Sequence, residues 1–199
     1  FVARNHPQVS RKQNNNKIAP EDRPIHDWYR FVLSYPPHLV REYLEKFGIR
    51  PGQRVLDPFC GTGTTLVECK KLRIPCIGVE ANPMAHFASQ VKTDWSPDPE
   101  GLLDHASRLA ESAHTELVRQ GIHDAPLPLF DTQVSSDRAL VELKILDAKT
   151  QALLLTDSIS PLPLHKVLVL LEQLGQHHDP RYASHERLAL AKARRSWDA

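Results

Sequence analysis

The chain predicts an α/β fold, a Rossmann-like, doubly wound and mostly parallel sheet with a helical elaboration after it. Three observations carry this. An apolar run, Val55-Leu56-Asp57, ends on an acid and enters a glycine-rich turn at once; a second run, Ile74 to Glu80, ends on another acid; and a helical pattern follows each. Strand, glycine loop, helix, strand, helix implies parallel strands joined by crossovers. With 199 residues, 41% of them hydrophobic, the chain suffices for one full core and a small appendage.

In chain order, residues 1–24 are expected to form a flexible arm. Asn14, Asn15 and Asn16 stand in a row there, and few apolar side chains offset the entropy of ordering. Residues 25–95 are expected to form the core. Trp28, Tyr29, Phe31, Val32 and Leu33 cluster, and Pro36-Pro37 opens a helix with Val40, Leu44 and Phe47 on one face, stopped by Gly48. Arg54–Asp57 reads as a short buried strand, Thr64 to Leu72 as a helix, and Ile74 to Glu80 as a strand with Pro75 at its entry. Pro83 begins a helix carrying Met84, Phe87 and Val91. Residues 96–199 read as mainly helical. Leu102 to Leu117 marks a long amphipathic helix closed by Gly121, and Ile122 to Asp137 is a proline-rich loop. A helix or irregular segment is expected at Ala139–Leu146, an apolar run at Ala152–Leu155, and helices near Leu164–Leu174 and Tyr182–Lys192.

Composition narrows the function classes. A net charge of +1 gives no general pull toward nucleic acid or membrane, although the first thirty residues and the stretch from Arg181 are locally basic. Cys60, Cys69 and Cys76 match no zinc spacing and read as reduced thiols. No run approaches the roughly 20 apolar residues of a membrane span, and Phe1 to Ser10 has no apolar signal core, so a cytoplasmic protein is expected.

The chemistry concentrates in Asp57 to Thr65. Glycines let backbone approach a ligand closely. Leu66 stands where a dinucleotide fingerprint needs a small third residue, and the loop lacks the lysine of a P-loop, so pyrophosphate and triphosphate binders are disfavoured. Asp57 suits the ammonium of a cofactor with an amino-acid end. Glu80 can accept from the vicinal hydroxyls of a ribose, a feature that dinucleotide folds share, and Asn82 and Pro83 are placed to border an adenine.

Val55-Leu56-Asp57-Pro58-Phe59-Cys60-Gly61-Thr62-Gly63-Thr64-Thr65-Leu66 resembles the cofactor motif of the amino-methylating DNA methyltransferases, which make N4-methylcytosine or N6-methyladenine. Gly78-Val79-Glu80-Ala81-Asn82-Pro83 resembles that family's next motif. Phe31 to Val40 resembles the segment that, in permuted members, precedes the loop and packs on the methionine end of the cofactor. The resemblance covers residues about 28 to 90. It implies the class I methyltransferase fold, S-adenosyl-L-methionine as cofactor, and contacts from Tyr35, Pro36, Asp57, Pro58, Phe59, Cys60, Gly61, Thr62, Gly63, Thr64, Thr65, Glu80, Ala81 and Asn82. It also implies direct methyl transfer to an exocyclic amine of a flipped base, with DNA as partner and a setting in restriction and modification.

The family's amine-holding tetrapeptide, Asp/Asn/Ser-Pro-Pro-Tyr/Phe, is not found. Ser34-Tyr35-Pro36-Pro37 has the wrong order and reads as a helix start. Asp157 with Ser160-Pro161-Leu162-Pro163 follows an apolar run but lacks the adjacent prolines and the aromatic, so Asp157, Ser160 and Pro161 are weak catalytic candidates beside a plain turn. The chain reads as the amino-terminal portion of a longer permuted enzyme. An RNA base methyltransferase and a catalytically silent cofactor-binding module are the alternatives.

Three further groups read as structural. Eleven histidines suggest no metal site: His177 and His178 are adjacent, His105 and His114 nine apart, and solvent exposure is expected for them. Trp28, Tyr29 and Phe31 are expected to pack against the sheet rather than stack on a ligand. Cys60 has no neighbour to lower its pKa and is expected to pack rather than act as a nucleophile.

Overall fold

The computed structural model describes residues 17–31, 34–50, 52–122, 142–153 and 159–193. They fall into two compact units, residues 1–96 with 187–199, and residues 97–186. Most of the expected arm lies outside the described residues, but its end is not an arm. Pro20–Asp22 forms a 3-10 turn leading into α1 (Arg23–His26), and Asp22 and His26 are buried.

In the first unit Pro36 holds extended backbone and Pro37 occupies the first helical position, so α2 (Pro37–Lys46) starts where its unpaired amides cost least. Its Val40 and Leu44 pack on Cys69 and Ile74. Then come β1 (Val55–Asp57), α3 (Thr64–Lys71), β2 (Cys76–Gly78) and α4 (Pro83–Thr93). The strands pair in parallel, Val55 opposite Cys76, Leu56 opposite Ile77 and Asp57 opposite Gly78. Among the described residues the sheet has these two strands.

Two expectations change here. The first strand is not buried as a whole: its side chains alternate, and Leu56 is 65% exposed beside Ile77 at 58%. Parallel sheets are ordinarily covered on both faces, and the described residues cover the Val55 and Cys76 face, which joins the α2 and α3 core. The aromatic cluster also packs elsewhere than expected. Tyr29 lies against Ala88 and Val91 of α4 and Leu188 of α8 (Ala183–Ala193), with Trp28 and Phe31 around it.

The second unit pairs α5 (Pro99–Arg119) with α7 (Pro161–Gln176) through Ala113, Leu117 and Val169. Ser112 Oγ donates to Gln173 Oε1 at 2.6 Å across that contact. Residues 142–147 are irregular. His165, buried in α7, accepts from the Lys144 amide at 2.8 Å and meets Gln120 Oε1 at 2.7 Å, which fastens that stretch to both long helices. A short α6 (Ala148–Gln151) follows, capped by Asp147. Among the described residues no helix is long and apolar enough to cross a membrane.

Candidate cofactor-binding site

The parallel ladder runs on past the strands: Val79 N–H donates to Asp57 O at 2.9 Å and Cys60 N–H to Val79 O at 3.1 Å. The loop is therefore stitched to the end of β2 before it turns. Two carboxylates then take its amides. Asp57 Oδ1 accepts from Phe59 N at 3.1 Å, and Glu80 Oε2 accepts from Gly61 N at 2.8 Å while Oε1 takes Asn82 N at 2.8 Å. Asp57 and Glu80 thus meet at one loop. Each oxygen still has acceptor capacity for a ligand.

The glycines differ in what they permit. Gly63 sits at φ +85° at the start of α3, and a Cβ there would stand 2.9 Å from Ser89 Cβ and 3.1 Å from Ser89 Cα on α4. Gly61, at φ +53°, has nothing within 4 Å of that position. One glycine permits close helix packing, and the other leaves open space on the loop's outer side. Gly78 serves a third purpose, because a Cβ on it would meet Cys60 Sγ at 2.7 Å and Leu66 Cδ1 at 2.7 Å.

The other expected site residues sort by burial. Thr62 and Thr64 face inward, and Cys60 is 4% exposed, where burial and then the Asp57 and Glu80 charges push its thiol pKa up. It is no nucleophile in that state. Phe59 is 85% exposed, and Pro58 and Ala81 are exposed too. Asn82 is committed to the fold: its Oδ1 caps α4 by accepting from Met84 N and Ala85 N, both at 3.0 Å, so that oxygen is spent on the helix. Tyr35 reaches Asp57 Oδ2 at 3.2 Å and Thr65 Oγ1 at 2.6 Å. A cavity of about 360 Å³ beside α2 is lined by Tyr35, Thr65, Leu39, Tyr43, Phe47 and Val55, and neither Asp57 nor Glu80 is in its wall. Ser160 and Pro161 open α7 in the other unit, Ser160 without a side-chain cap bond, and Asp157 lies outside the described residues.

A buried charge network escaped the sequence reading. Glu68, in the middle of α3 and 1% exposed, accepts from Arg41 at 2.6 Å and Lys71 at 2.8 Å and meets His26 Nε2 at 2.7 Å. Arg41 also grips Asp22 with two bonds of 2.8 Å. Despite burial, His26, Lys71 and Arg41 together hold the Glu68 carboxyl at about 2. Beside it Lys92, 1% exposed, donates to the carbonyls of His26 and Tyr29, and desolvation lowers its pKa to about 8. These bonds tie α1 and α2 to the back of α3. His105 is likewise not the exposed histidine expected: its Nδ1 lies 2.6 Å from the buried Glu186.

Residues 5–90 match the family model described as DNA methylase. That segment is similar to the DNA methylase family. Over 75 residues the chain is 37% identical to the Type II methyltransferase M.BsoBI of Geobacillus stearothermophilus, covering 38% of this chain and 15% of that protein. It is 57% identical over 45 residues to the Type II methyltransferase M.SmaI of Serratia marcescens, 23% of this chain and 15% of that one. It is also 31% identical over 80 residues to a tRNA (guanine(10)-N2)-dimethyltransferase of Methanothermobacter thermautotrophicus, 40% of this chain and 23% of the relative. The chain thus spans less than a quarter of the length of these curated relatives. No solved structure matches significantly.

Proposed function

We propose that the first unit is the cofactor-binding part of a methyltransferase that moves a methyl group from S-adenosylmethionine to an exocyclic amine of a DNA base. The observation that carries this is the convergence of Asp57 and Glu80 on the amides of one loop. Open space beside Gly61, two carboxylates with spare lone pairs and the exposed Phe59 ring fit a cofactor that joins an amino acid to a nucleoside. Asp57 receives the ammonium, Glu80 the ribose hydroxyls, and Phe59 offers apolar contact. The bound cofactor supplies an electrophilic methyl group on a sulfonium. The protein's part is to hold that group still, which the Glu80 latch on Gly61 and the packing of Gly63 on Ser89 achieve by making the loop rigid.

We further propose that β1 and β2 form the centre of a doubly wound sheet, with Leu56 and Ile77 covered in the complete fold. Asp157, Ser160 and Pro161 remain the proposed candidates for holding the amine. The similarity to a tRNA dimethyltransferase supports a second reading, an RNA base as acceptor. Incubation of the protein with methyl-labelled S-adenosylmethionine and either duplex DNA or tRNA separates the two. Label in N4-methylcytosine or N6-methyladenine of DNA is expected. Label in tRNA alone would overturn the DNA assignment.

A further inference from the structure

A tyrosine hydroxyl carries one proton, and that fixes the direction of the contacts around Asp57. An ionised carboxylate only accepts, so Tyr35 O–H donates to Asp57 Oδ2 at 3.2 Å, and the 2.6 Å contact with Thr65 must then be donated by Thr65 Oγ1–H. The chain of bonds runs from the first turn of α3 through Tyr35 to Asp57. Burial, the largest cause, raises the Tyr35 pKa and keeps this proton in place. Tyr35 itself is held firmly, since Pro36-Pro37 fixes the backbone after it and Arg41 locks α2 to Glu68 of α3. With Phe59 N–H on Oδ1 and Tyr35 on Oδ2, Asp57 is clamped at both oxygens, and the direction of its remaining lone pairs is set.

We propose that Tyr35 is a positioning residue for the amino-acid end of the ligand: it aims the Asp57 carboxylate at the cationic α-amino group and acts on affinity through that carboxylate. This differs from packing directly on the methionine end, and it rests on the S-adenosylmethionine reading of the loop. A charge-assisted bond depends on such aim more than an apolar contact does. The effect should therefore depend on whether the ligand carries an ammonium.

Calorimetric titration of the full chain with S-adenosylhomocysteine and with 5′-methylthioadenosine, which keeps the nucleoside but lacks the amino acid, tests this. Tyr35→Phe is expected to weaken S-adenosylhomocysteine about tenfold and methylthioadenosine by less than about twofold. Thr65→Val, which breaks the same relay one bond earlier, is expected to show the same selectivity and serves if Tyr35→Phe melts early by circular dichroism. Equal loss for both ligands would make Tyr35 a structural tether, and no loss for either would make it idle; each result overturns the proposal. If the unaltered protein binds neither ligand, the cofactor reading itself fails and the proposal falls with it, an outcome visible before any variant is measured.

Discussion

Placing alanine at Gly61 and at Gly63 separates backbone strain from packing within one loop. Both glycines sit at positive φ, where an L residue costs about 1–2 kcal/mol, so strain alone predicts similar losses. Gly63 carries a second cost. Its new methyl would stand 2.9 Å from Ser89 Cβ and 3.1 Å from Ser89 Cα, atoms of a residue 3% exposed in the middle of α4, and neither can rotate aside. α4 has to move off α3, and overpacking of this kind costs about 1–3 kcal/mol. Urea unfolding followed by circular dichroism should therefore show Gly63→Ala losing about 2–5 kcal/mol and Gly61→Ala about 1–2. Binding should reverse the order relative to stability: Gly61→Ala puts its methyl into the open space assigned to the ligand, and so loses S-adenosylmethionine affinity out of proportion to its small unfolding cost. Equal unfolding losses, or a larger one at Gly61, would refute this assignment of the two glycines.

Glu68 and Lys92 both make stability rise with pH, in separate ranges and for different reasons. Glu68 titrates at about 2 in the fold against 4.5 unfolded, so its stabilisation is complete above pH 4.5 and is lost as pH falls toward 2. That loss is on the order of 3 kcal/mol, and Glu68→Gln should be less stable at pH 7 and lack this part of the acid dependence in urea titrations at pH 5 and pH 3. Parallel curves for variant and parent would contradict the network. Lys92 titrates at about 8 in the fold against 10.5 unfolded, so charging it opposes folding below pH 8 and the penalty is gone above pH 10.5. Relative to Lys92→Met, the parent should gain about 3 kcal/mol between those limits, and a constant difference would show that the lysine is not desolvated.

The loop was legible because its punctuation is chemical: the acid, the paired glycines and the following helix each limit what backbone can form. Pro37 and Pro83 likewise marked helix starts that the structure places at those residues. The capping role of Asn82 was readable in principle, since asparagine before a proline is a helix-capping pattern. What could not be read depends on pairing across distance. Arg41 finds Asp22 across 19 residues and Glu68 across 27, and a charged residue in a polar-looking helix carries no mark of burial. Strand burial failed for a related reason. Val55-Leu56-Asp57 shows which residues alternate, and only the packing partners decide that Val55 is covered and Leu56 is not.

S-adenosylmethionine binding at the carboxylate-flanked loop is measured directly by calorimetric titration of the chain with that ligand, repeated on Asp57→Ala and Glu80→Ala. The parent is expected to bind, and each substitution to weaken binding at least about tenfold, or roughly 1.4 kcal/mol. Affinity unchanged in both variants would contradict it.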